Sequence, residues 1–149
     1  MAGVRDMGLI GERHPALRAL IALWRERQWD ERPPNASAMG TGSLAGFGEI
    51  AVMIVAEQEH GSLIIRNSGA QVDALYGAAL AGSGAARLSP DRDDAEHEAR
   101  SAIESGRPLL IEDELRGADR RRRIARLYLP LTNDDGSPGG VLCGVIPVG

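Results

Sequence analysis

Few residues in this sequence could do chemistry, and they are scattered. Histidine occurs at positions 14, 60 and 97 and cysteine only at 143, and no pair of them has the spacing of a metal site. His14 stands directly before Pro15 and is expected to cap a helix. His60 falls with Gly61 in a turn, and helical geometry turns His97 towards water. The acidic groups come as two runs, Glu112-Asp113-Glu114 and Asp134-Asp135, which a solvated strand and a hairpin turn account for. No Ser/His/Asp order, phosphate loop or zinc motif accompanies them. No residue is therefore expected to be catalytic or to ligate a metal.

The strongest charge run is Arg120 to Arg123, and its type suggests a grip on phosphate. The residues before it, LLIEDELRGAD, suggest otherwise. A two-residue turn at Gly117-Ala118 sets Arg116 opposite Asp119, Glu114 opposite Arg121 and Glu112 opposite Arg123. The same register sets Asp113 opposite Arg122 and Ile111 opposite Ile124. Cross-strand pairs of this kind contribute roughly 0.2–1 kcal/mol each, so they fix register more than they add stability. A charge-paired hairpin is the expectation, with docking to an acidic protein surface as the second reading. Nucleic acid is not an expected partner: the net charge is -4, and aromatic residues make up only 3% of the chain.

These residues must be positioned by a recognisable run of elements. At 149 residues, with 43% hydrophobic and 26% charged content, one globular domain is the economical reading. A lone cysteine suits a reducing compartment, and neither a leader nor a membrane span is apparent, so a cytoplasmic location is expected. HPALRALIALWRERQW predicts a helix with Pro15 in its first turn and Leu17, Leu20, Ile21 and Trp24 on one face, Leu23 at the margin. A Pro, Gly, Ser and Ala-rich connection follows. Strands are predicted over Ile50 to Val55 and Ser62 to Asn67, then a short helix over Gln71 to Leu80. A helix over Asp91 to Ser105 carries an Ala95, Ala99, Ala102 and Ile103 stripe and stops at Gly106-Arg107-Pro108. Strands over Leu109 to Arg116, Arg121 to Leu131 and Val141 to Val148 complete an α+β arrangement with a mostly antiparallel sheet.

That order, with "HPALRALIALW", "RPPNASAM", "IIRNSGAQVDALYGAALAG", "AIESGRPLL" and "LYLPLTNDDGSPGGVLCGV", resembles a compact bacterial PAS family with a tryptophan-bearing N-terminal helix, from His14 to Val148. The glycine-rich "SAMGTGSLAGFG" departs from the family's short apolar helix there. The resemblance implies a PAS fold: a five-stranded antiparallel sheet, short helices on one face, and the N-terminal helix packed outside it. Residues 1–36 form the helix and connection, and 37–149 the PAS core. Arg66, Gly69, Gly77 and Gly82 fall on the family's Arg and Gly positions, the glycines serving turns.

By the same resemblance the chain is a non-catalytic sensory module that acts through protein–protein interaction and a small-molecule ligand. With no output domain expected beyond the last strand, it needs a signalling partner or its own dimer. A homodimer interface is expected at Leu20, Leu23 and Trp24, because the stripe is wide. A ligand between sheet and helices would meet Arg66, Asn67 and Tyr76, with Arg66 suited to an anion. Haem is not expected, since His97 faces water. Nor is flavin photochemistry, since Cys143 sits in the last strand rather than in an Asn-Cys-Arg motif on a helix. The alternatives are a small-molecule-binding protein whose pocket is its main function and a small cone-fold enzyme.

Overall fold

Apolar periodicity sets the element order. The computed structural model describes residues 3–4, 14–30, 32–39, 46–56, 61–89, 94–116, 121–133 and 135–148. Along it run β1 (Gly3–Val4), α1 (Pro15–Glu26), β2 (Ala51–Ala56), β3 (Leu63–Ser68) and α2 (Ala70–Tyr76). These are followed by α3 (Asp94–Ser105), β4 (Leu109–Arg116), β5 (Arg121–Thr132) and β6 (Pro138–Pro147). Short 3-10 turns at Ala36–Met39 and Ala85–Leu88 were not expected from the periodicity. Asp91, His60, residues 40–45, the Gly117-Ala118 loop with Asp119 and Arg120, and Asp134 lie outside the described residues.

The sheet is antiparallel throughout, in the order β1-β4-β5-β6-β2-β3. Five long strands carry it, and β1 adds two residues at the edge of β4, where Gly3 meets Glu112. Two residues carry no alternation to read. The long strands nearest the ends of the sequence, β2 and β6, are neighbours inside the sheet, which explains their uniformly apolar character.

Each face of the sheet has its own core. On the inner face Val52, Ile54, Ile124, Tyr128, Val141, Cys143 and Val145 pack against Val72 of α2, Leu88, and the alanine stripe Ala95, Ala99 and Ala102 of α3. Small residues there bring α3 close to the strands. On the outer face Ala125, Leu127, Leu129 and Leu131 of β5 meet Leu17, Leu20, Ile21 and Trp24 of α1. Burying each of these large side chains stabilises the fold by about 1.5–3 kcal/mol. Trp24 also donates its indole Nε1–H to the Pro130 carbonyl at 2.8 Å. Gly144 makes room for α1: a Cβ there would stand 2.7 Å from Leu20 Cδ2 and 2.9 Å from Leu17 Cδ2.

The residues expected at a dimer interface take part in this packing. Leu20 is 0% and Trp24 3% exposed within the single chain, so neither has surface left to bury against a second copy. The width of the stripe is taken up by the chain's own sheet, and Leu23 is half-buried at its margin. His14 holds the cap position but makes no side-chain cap bond. Its ring is instead buried, with Nε2 3.6 Å from Glu112 Oε1.

The β4–β5 register is also corrected. Glu114 lies opposite Arg123, Asp113 opposite Ile124 and Ile111 opposite Arg126, two residues away from the expected pairing. A two-residue slip keeps every side chain on its face, because the strand period is two. Two of the anticipated ion pairs survive as diagonal neighbours, Arg121–Glu114 at 3.5 Å and Arg123–Glu112 at 3.4 Å, while Asp113 pairs with Arg126. Arg122 faces Leu115.

Candidate functional site

Arg126 is the one arginine of β5 that points into the protein. It alternates with Ile124 and Tyr128 on the inner face, and its side chain is 0% exposed. An unpaired charge in such a place costs several kcal/mol, so its partners have to be complete. The guanidinium donates from Nε to the Tyr128 hydroxyl at 3.0 Å and from one terminal nitrogen to the Leu88 carbonyl at 3.2 Å. The other terminal nitrogen donates to Glu98 Oε1 at 2.9 Å and to Asp113 Oδ2 at 3.0 Å. Tyr128 in turn donates to Glu98 Oε1 at 2.7 Å. Tyr76 donates to the Leu88 carbonyl at 2.7 Å, so one carbonyl serves both Tyr76 and Arg126.

The network joins every layer of the inner face. Glu98 comes from α3 beside the alanine stripe, Asp113 from β4, Arg126 and Tyr128 from β5, Tyr76 from the end of α2, and Leu88 from the 3-10 turn. Burial works against the charged guanidinium, but the Tyr128 oxygen and the Glu98 carboxylate outweigh it and hold its pKa above the ordinary arginine value. Burial also lifts the hydroxyls of Tyr128 and Tyr76 above the usual tyrosine value. Cys143, opposite Tyr128 on β6, has its thiol pushed up to about 12 by burial, which removes it as a ready thiolate.

The expected ligand residues do not converge. Tyr76 lies on the inner face, at the rim of this network. Arg66 and Asn67 are exposed on the other side of the sheet, where they line a groove of ≈ 640 Å³. A β-bulge is the reason. Met53 pairs with Asn67 and Ile54 with Ile65, leaving Arg66 as the extra residue between them. Of the glycines that carry the resemblance, Gly77 and Gly82 adopt positive φ of 70° and 91°. Gly69 instead lies against the Gly48 and Glu49 backbone, where no Cβ fits.

Arg126, Glu98 and Tyr128 were missed at the level of sequence. The signal was present: Arg126 alternates with Ile124 and Tyr128 inside an otherwise apolar run, and a helical wheel places Glu98 about 60° from the alanine stripe. Among the described residues no group of three or more His, Cys, Asp or Glu side chains could hold a metal ion. No helix among them is long and apolar enough to cross a membrane.

An antiparallel sheet with its sequence-terminal long strands side by side and short helices on one face defines a class of small α+β modules. Among them this one has the PAS fold, as two solved neighbours show. A fungal LOV domain photoreceptor superposes with a TM-score of 0.52 at 14% identity, over 95% of this chain and 99% of that one. An RNA-binding light-oxygen-voltage receptor superposes with a TM-score of 0.55 at 16% identity, over 80% of this chain. The shared region is 35% of that receptor's length. The PAS domain of Bordetella pertussis BvgS is also similar, at 15% identity over 68% of this chain and 77% of that one, with a TM-score of 0.41. No protein-family model and no curated protein matches the sequence.

Proposed function

We propose that this chain is a cytoplasmic, non-catalytic sensory module whose signal passes through the Arg126 network. One observation carries the reading: a single buried guanidinium ties α3, the Leu88 turn, β4 and β5 together. A small molecule or partner that draws Glu98 away from Arg126 would leave a buried charge short of a partner. The strands would then have to adjust. Glu98 is the accessible end of the network, at 12% side-chain exposure against 0% for Arg126. Tyr76 is its second entrance, through the shared Leu88 carbonyl. The non-catalytic part of the reading is supported by the carboxylates Glu98 and Asp113 both ending on the guanidinium, and by the protonated Cys143 thiol.

Output through a second copy or another signalling protein belongs to this proposal, by way of surfaces other than Leu20 and Trp24. RNA binding is a property of one neighbour named above. Here Arg121 and Arg123 are drawn towards Glu114 and Glu112, which argues against a phosphate grip. The test compares the wild-type chain with Glu98→Gln by mass spectrometry of denatured extracts and by amide hydrogen exchange. A compound that copurifies with the wild type and is lost from the variant, with exchange rising in β5, is the expected result. Identical extracts and an unchanged β5 would sink the proposal.

A further inference from the structure

The outer face of the sheet is only partly covered by α1. Over β2 and β3 the described residues leave a groove of ≈ 640 Å³, a volume typical of sites for small organic ligands. Its floor is apolar: Ala51, Met53 and Val55 come from alternate positions of β2, and Leu142 from β6. Its rim is polar and comes from three separate segments, the turn at Asn35 and Ser37, the bulge at Arg66 and Asn67, and Asn133 after β5. The concavity is therefore bounded, unlike a flat surface that would suit a macromolecule.

Among the described residues, Arg66 is the only charged one lining the groove. Its guanidinium is exposed and makes no ion pair or hydrogen bond among the described residues. No carboxylate among the described residues lines the groove to neutralise it; Glu49, next to Gly48, accepts a hydrogen bond from Gln71 at 2.8 Å. One unpaired cation beside an aliphatic floor calls for one anionic head and one apolar tail. The described lining has no aromatic ring on which a nucleobase could stack.

We propose that this groove binds a free amphipathic carboxylate of the fatty-acid class. The head is held by Arg66 with the Asn67 amide beside it, and the chain lies along Met53, Val55 and Leu142. A carboxylate matches a guanidinium in geometry as well as charge. This site is separate from the inner network and stands whether or not that network signals.

Titration calorimetry of the full chain with decanoate and with decanol, below their aggregation limits, tests the proposal. Methyl NMR on methionine-labelled protein follows the same titrations. Decanoate is expected to saturate a single site and to bind roughly tenfold or more tightly than decanol, the weight of one charge-assisted hydrogen bond. Arg66→Gln, an exposed substitution, should remove that advantage and leave decanol binding unchanged. The Met53 methyl should shift while that of Met39, fully buried in the outer core, stays in place. Absence of saturable decanoate binding, equal binding by Arg66→Gln, or an unmoved Met53 resonance would each overturn the assignment.

Discussion

Arg126 has no close substitute, because removing it takes the shared cation from two carboxylates, Glu98 and Asp113. Arg126→Met is expected to lower unfolding stability by about 3–5 kcal/mol in denaturant titrations, the usual cost of breaking a buried ion pair from one side. Adding Glu98→Gln to that variant should recover part of the loss, since one of the two negative charges left without the guanidinium disappears. Equal stability of Arg126→Met and wild type would mean that the network has no energetic weight. A second consequence concerns pH. Tyr76, Tyr128 and Cys143 all have raised folded-state pKa values, so the unfolded chain releases their protons first as the solution turns alkaline. Their contribution is fully present below pH about 9 and is lost as pH rises towards the folded values. Each group steepens the decline by up to about 1.4 kcal/mol per pH unit. Tyr128→Phe should flatten that slope in unfolding curves recorded across alkaline pH; an unchanged slope would contradict the burial assigned to its hydroxyl.

At the scale of elements, α1 depends on a gap in the sheet. Gly144→Val pushes a branched side chain into the space of Leu17 and Leu20, and overpacking of this kind costs about 1–3 kcal/mol. The emission of Trp24 should move to longer wavelength as the helix lifts, and a variant with wild-type stability and emission would argue against close seating of α1. How far the elements could be read in advance follows from their periods. The stripes Leu17, Leu20, Ile21, Trp24 and Ala95, Ala99, Ala102 were plain because a helix repeats one face, and both are buried as expected. The β4–β5 register was not, since pairings two residues apart satisfy the same faces and nearly the same charges. The candidate site was the least legible part. A bulge turns Arg66 and Asn67 outward against strand alternation, and no local residue pattern announces it. Arg126 could have been found by asking why an apolar strand should contain a charge.

Across the whole molecule, the sheet separates two compartments that share β5, with the charge network on one side and the α1 core on the other. Association with a second copy, if it carries the output, must use surface that α1 leaves free. Leu23→Glu is therefore expected to leave the sedimentation coefficient unchanged at all concentrations, and conversion of a dimer to a monomer would return the α1 stripe to the interface. The bond from Trp24 to Pro130 has one more use. It fastens an indole to the strand that carries Arg126, while Trp29, at 46% exposure, emits from a watery setting. The two tryptophans are thus spectrally distinct, and the buried one rides on the strand where the signal is proposed to arrive. The protein carries its own optical gauge: any event at Glu98 that moves β5 can be followed as a change in Trp24 emission, without a label.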